Sequence, residues 1–161
     1  MTTMQTTGLD QTDIQLLRLL QENSSLNNKE LAAKVNKAIT PTYMRVKRLK
    51  EEGYIKGYTA VLNREKLGMG LLALTQVKMK CHSEELLKGF EQEVNQMPEV
   101  ITCFHLSGAY DFIIHVALTD MKAYHDFLMH KLFHLPEIET VNTCFVIKEC
   151  KVNSPYRLLP A

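Results

Sequence analysis

No apolar run in this chain of 161 residues approaches the roughly 20 residues needed to cross a bilayer as a helix, so a helical membrane protein is excluded. The first eight residues, MTTMQTTG, hold neither cations nor an apolar stretch, and a secretion signal is not expected. The four cysteines, Cys81, Cys103, Cys144 and Cys150, have no close pairing and no metal-type spacing; they read as reduced, mostly buried thiols of a cytoplasmic protein. There is no phosphate-binding glycine loop, no nucleophile elbow and no acid pair in an evident cleft, so neither an enzyme nor a resident cofactor is expected. Internal repeats and low-complexity segments are lacking as well. The net charge is only +1. With 45% apolar residues the chain is nonetheless too hydrophobic to stay disordered.

What charge there is has been sorted along the chain. Residues 1–66 carry 11 basic and 7 acidic side chains, whereas residues 67–161 carry 8 and 11. Only the first part suits a polyanion. Within it, Lys34 to Lys56 holds seven basic residues against Glu51 and Glu52.

This basic segment reads as a helix from Thr40, with Pro41 in the first helical position, to about Glu52, stopping at Gly53. Thr42, Val46 and Leu49 share one side at helical spacing and are expected to pack inward. Thr40, Tyr43, Met44 and Lys47 fall on the opposite side at i, i+3, i+4 and i+7, the spacing that lays one helical face into a major groove. Hydroxyl, phenol and ammonium can reach base edges or phosphates, and Met44 can touch apolar base surface. Lys37 and Arg48 border the face and suit phosphates, with Arg45 nearer the buried side. A solvated basic helix would be the plainer interpretation of such a charge run taken alone.

The preceding sequence favours the DNA interpretation. Asp10 and Asp13 mark a helix start before Ile14, Leu17 and Leu20, and Asn27 with Glu30 forms a capping pair before Leu31, Ala32 and Val35. Three short helices with a brief second turn, followed by a strand from Tyr54 to Leu62, follow the helix-turn-helix plan.

The second half reads as strand, helix, strand, strand, helix, strand. Leu71 to Cys81 is the first strand. Ser83 caps a helix bearing Leu86, Phe90, Val94 and Met97 on one face, closed by Pro98. Val100 to Ser107 and Asp111 to Leu118 pair around Gly108; Thr119 or Asp120 caps a helix through His134, with Tyr124, Leu128, Leu132 and Leu135 inward. Val141 to Lys151 is the last strand. That order is the ferredoxin-like βαββαβ plan, a four-stranded antiparallel sheet with both helices on one face. The other face, with Ile113, Ala117 and Cys144 and Val146 or their alternates, stays apolar and uncovered, which calls for a second copy of the chain. A dimer also matches the two-fold symmetry of an inverted repeat.

The segment Gly108, Ala109, Tyr110, Asp111 is a candidate small-ligand site. Glycine lets the backbone present N–H groups to a carboxylate, and Asp111 suits an ammonium; an ordinary β-turn is the plainer alternative. His130 and His134 stand i, i+4 on a helix, with His125 one residue outside that stripe, a spacing that can ligate zinc. A third ligand at a fixed offset is missing, and no metal site is expected.

Taken together, LDQTDIQLLRLLQEN (Leu9 to Asn23), ELAAKV (Glu30 to Val35), RVKRLKEEGYIKGYTAVLN (Arg45 to Asn63), Leu67-Gly68 and GAYDF (Gly108 to Phe112) resemble the Lrp/AsnC, or feast/famine, transcription regulators. The resemblance covers nearly the whole chain in order. It departs at Asn36-Lys37-Ala38, where the family has a Gly-Leu-Ser turn, and at Ser25, near which the family has an arginine. Ile39 and Thr40 are expected to take over the buried and capping roles there by a one-residue slip.

The resemblance implies an α+β protein: a winged-helix-like three-helix helix-turn-helix domain at residues 1–63, a linker at 64–70 and a ferredoxin-like amino-acid-sensing and oligomerisation domain at 71–161. It implies an inverted-repeat operator in double-stranded DNA and a homodimer assembling into higher oligomers, up to an octamer. It also implies an amino acid or related metabolite bound where dimers meet, by Gly108, Tyr110, Asp111 and Thr143. The alternatives are an architectural DNA binder that needs no effector and a metal-responsive regulator.

Overall fold

A computed structural model describes residues 8–158. Most of the N-terminal octapeptide in which no secretion signal was read lies outside the described residues. The chain divides into two compact units; the first takes in residues up to Val61 and again from Lys151, the second Leu62–Cys150.

The first unit has three helices, α1 (Gln11–Glu22), α2 (Asn28–Lys34) and α3 (Ile39–Glu51). Both expected capping boxes form: Asp10 accepts the Asp13 N–H while Asp13 accepts that of Asp10, and Asn27 and Glu30 do the same. Each box satisfies two helix-end donors that would otherwise lack partners. Leu16, Leu17, Leu20, Leu31, Val35, Val46 and Leu49 make the core.

Two expectations fail here. Tyr54 to Leu62 is not a strand, because no neighbouring segment offers it a hydrogen-bonded ladder; it runs exposed except at Ile55, with the Lys50 ammonium 4.8 Å from the centre of the Tyr58 ring. The segment from Lys151, expected in the second domain, joins the first unit. The Gln21 side chain donates to the Tyr156 carbonyl at 3.4 Å and accepts the Tyr156 N–H at 2.8 Å, Arg18 donates to the Leu158 carbonyl, and Leu158 packs on the helical core.

The second unit contains β1 (Leu71–Met79), α4 (Glu84–Asn95), β2 (Val100–His105), β3 (Phe112–Leu118), α5 (Met121–His130), a 3-10 turn at Leu132–His134 and β4 (Ile138–Phe145). Strand order is β2-β3-β1-β4, all antiparallel, the ferredoxin-like arrangement. Alternation along β3 puts Phe112, Ile114, Val116 and Leu118 under the helices, where they meet Ala73, Val77, Phe90, Val94, Tyr124 and Phe127. Phe112 stacks on Phe90 at 4.4 Å and on His105 at 4.7 Å.

β4 starts and ends earlier than expected. Its ladder needs β1, and β1 begins at Leu71, whose neighbour Leu72 accepts the last such bond from the Val146 N–H. On the face without helices, Ile113 and Ala117 are half-buried and Cys144 exposed. Polar pairs interrupt that surface, Asn142 to Gln76 at 3.2 Å and Lys78 to Glu139 at 2.8 Å. The thiols are not mostly buried either. Cys81, Cys144 and Cys150 are exposed because two lie beyond strand ends and one faces outward from β4. Cys103 alone is half-buried, and burial pushes its thiol up to about 11.

Candidate nucleic-acid interface and effector turn

The turn before α3 replaces glycine with Asn36 at φ 52°, a left-handed conformation that asparagine tolerates better than most residues. Ala38 is the residue before α3, and having no hydroxyl it makes no side-chain cap. Thr40 does not take that role; it is the second helical residue. The expected slip is therefore absent: Ile39 starts the helix and is 51% exposed rather than buried. Pro41 still falls within the first turn, where its missing N–H costs little. Thr42, Val46 and Leu49 are buried as expected, with the Thr42 hydroxyl donating to the Ala38 carbonyl at 2.9 Å. Gly53 closes the helix at φ 79°, its N–H bonded to the Lys50 carbonyl at 3.0 Å in the manner of a glycine C-cap.

Thr40, Tyr43, Met44 and Lys47 all emerge exposed on one face, Tyr43 at 47% and Met44 at 54%. Ile39 extends this face. Sequence reasoning placed it inside; its i, i+4 relation to Tyr43 was the available signal. Lys37 is exposed in the preceding turn, and Lys47 lies 3.7 Å from Glu51, a loose surface pair worth little.

Arg45 and Arg48 behave differently from expectation. Arg45 bonds Asp13 at 2.9 Å and also Asp10, and Arg48 bonds Asp13. Neither guanidinium is a free phosphate ligand in this arrangement. Donating hydrogen bonds to Asp10 and Asp13 raises the Arg45 pKa above its ordinary value. The Asp10 carboxyl is held below the usual range chiefly by the Asp13 N–H, against the opposing effect of burial and with a further lowering by Arg45.

In the second unit, Gly108 adopts φ 153° with open space where a side chain would stand. Tyr110 is half-buried beside it. Asp111 is not free to hold an ammonium as the sequence suggested: one oxygen accepts the Met79 N–H at 2.7 Å, the other lies 2.9 Å from His82 Nε2. Its backbone also bridges strands, donating to the Val77 carbonyl at 3.0 Å and accepting from the Leu106 N–H at 2.7 Å. His82 was missed, since nothing in its loop position announces a partner 29 residues away. Thr143 does not join this turn within one chain. It lies opposite Thr75 in the ladder and bonds Tyr124 and Thr75 beneath α5, whereas Asp111 reaches Met79, four positions further along β1 or about 13 Å.

A groove of about 660 Å³ lies elsewhere, between α4 and the end of α5, with Phe90, Met97, His130, Lys131 and His134 among its lining residues. No cluster of three His, Cys, Asp or Glu side chains suited to a metal occurs among the described residues, and none of the described helices is long and apolar enough to cross a membrane.

Residues 9–56 match a winged helix-turn-helix DNA-binding domain and residues 72–156 the Lrp/AsnC ligand binding domain. A winged helix-turn-helix DNA-binding unit followed along the chain by a ligand-binding unit defines a DNA-binding transcription regulator. The chain belongs to the Lrp/AsnC family. It is 34% identical to the Bkd operon transcriptional regulator of Pseudomonas aeruginosa, over 91% of this chain and 95% of that one. It is 36% identical to the DNA-binding transcriptional activator DecR of Escherichia coli, over 89% and 94%. A Neisseria meningitidis transcriptional regulator solved as a complex with L-Met superposes with a TM-score of 0.87 at 33% identity, covering 92% of this chain and 96% of that one.

Proposed function

We propose that the chain reads an inverted-repeat operator in double-stranded DNA by inserting α3 into the major groove, as a homodimer that assembles further, up to an octamer, in the cytoplasm and without catalysing a reaction. The observation that carries this reading is the exposed face of Ile39, Thr40, Tyr43, Met44 and Lys47, which no described part of the first unit covers. Lys37 adds a phosphate contact at its edge. The half-buried Ile113 and Ala117 on the helix-free side of the sheet support a second copy as the covering partner.

The sheet unit binds a free amino acid or a related metabolite in the assembled oligomer, around Gly108 and Tyr110, with Asp111 holding the turn in shape. Relatives are named leucine-responsive regulatory proteins, and the Neisseria regulator was solved with L-Met. The full-length protein, screened by thermal shift against the twenty amino acids, should melt higher with one of them in proportion to the logarithm of its concentration above Kd. Binding to DNA should fall steeply with salt, and Lys47→Ala should weaken it. DNA affinity indifferent to both salt and Lys47 removes α3 from the interface.

An effector-independent architectural binder is the second reading. It is favoured by the two occupied oxygens of Asp111 and by Thr143 lying under α5. A thermal-shift screen without any response decides for it.

A further inference from the structure

Asp13 is the one charged side chain that is buried among the described residues, at 1% exposure. Three donors converge on it: the Asp10 N–H at 3.1 Å, Arg45 Nη1 at 2.9 Å and Arg48 Nη2. Both arginines come from one flank of α3, Arg48 bordering the face of Thr40, Tyr43 and Met44 and Arg45 nearer the buried side, three residues apart, so they grip that helix at two heights about 4.5 Å apart along its axis. Two anchors on one flank stop the helix from rolling. The arginine side chains remain a third or more exposed, at 33% and 42%, close enough to solvent to reach a phosphate if released. Release would strand a buried carboxylate, which is strongly unfavourable.

We propose that Asp13 is a positioning residue for DNA reading. By holding Arg45 and Arg48 against α1 it fixes the roll of α3 and withholds two guanidiniums from the phosphates, so that discrimination between sequences rests on the face from Thr40 to Lys47. This rests on the reading that α3 enters the major groove. In a protein whose total charge is +1, keeping two cations off the backbone lowers binding to every sequence alike and leaves the base contacts as the larger share of affinity.

The test uses the full chain and two duplexes of equal length, one selected by binding from a random pool and one scrambled, titrated by fluorescence anisotropy over a series of KCl concentrations. Lys47→Ala should flatten the plot of log K against log salt by about 0.9 per reading head, as loss of one phosphate or groove cation requires. Arg48→Ala should leave that slope nearly unchanged. Asp13→Asn should steepen it by roughly 1 to 2 per reading head as the guanidiniums are freed, strengthen binding to the scrambled duplex, and cut the ratio of selected to scrambled affinity at least about tenfold.

An Arg48→Ala slope that falls as far as that of Lys47→Ala overturns the proposal while leaving α3 in the groove, and this arm decides the matter even if Asp13→Asn fails to fold. A folded Asp13→Asn protein with unchanged slope and unchanged ratio overturns it as well. If Lys47→Ala has no effect on either duplex, the groove reading itself falls and this inference with it.

Discussion

In the helical unit α3 is held by Asp13, whose partners are two side chains from α3 itself and the Asp10 N–H. In the sheet unit the turn after β2 is held by Asp111, whose partners are a backbone N–H of β1 and the ring of His82. The consequences differ. Asp13 grips one flank of a helix and leaves the other flank free to meet a ligand. Asp111 closes its turn with both oxygens engaged. The supports beneath differ too: a mostly aliphatic core of short helices in one unit, and a sheet core with the Phe90, Phe112 and His105 stack in the other.

The strongest way to break this contrast is to remove the sheet unit's aromatic support. Phe112→Ala should cost about 3–5 kcal/mol, because a fully buried ring with two stacked neighbours leaves a cavity that strands cannot close. Thermal unfolding followed by circular dichroism would show a large fall in Tm; a loss below about 1 kcal/mol would mean that the sheet does not depend on this core.

A smaller effect separates a clamp from a ligand-binding group. Asp111→Ala should destabilise the ligand-free protein by about 1–3 kcal/mol, since it leaves the Met79 N–H without an acceptor in a part-buried place. If the ligand-free melting temperature is unchanged, the clamp description is wrong and Asp111 is available to an ammonium after all.

The smallest effect concerns the start of α1. The Asp10 carboxyl is held below its ordinary value of 3.8, so its contribution is present above that pH and is lost as pH falls through the lower folded value. At half exposure this amounts to at most about 1 kcal/mol. Acid titration of stability should be shallower in Asp10→Asn than in the parent below pH 4; identical curves would show that the Asp10 contacts contribute nothing.

Much of the fold was legible because its signals are local. Capping boxes at Asp10 and Asn27, the run of alternating residues from Phe112 to Leu118, and the spacing of Thr42, Val46 and Leu49 each lie within one element. The exposed face of Thr40, Tyr43, Met44 and Lys47 was legible for the same reason. Errors came where a partner far along the chain decides. The Tyr54 to Leu62 segment has strand-forming residues but no ladder to join, and β4 is registered by where β1 begins. Phe127 went unnoticed beside Leu128 because only the angle of α5 on the sheet chooses between adjacent positions. That Arg45 and Arg48 pair with Asp13 was not legible, because charge is visible in a sequence and its pairing with a residue more than 30 positions away is not.

The sequence by itself determined the three helices, the βαββαβ order and the exposed side of α3, which follow from periodicity, caps and charge within short windows, and also the family, which its motifs resemble. Tertiary structure alone decided which charges are free, that Asp13 is buried between two arginines, that Asp111 is a clamp, and that the segment from Lys151 returns to α1. Such outcomes depend on desolvation and on pairing between distant residues. Neither exists until the chain has closed on itself.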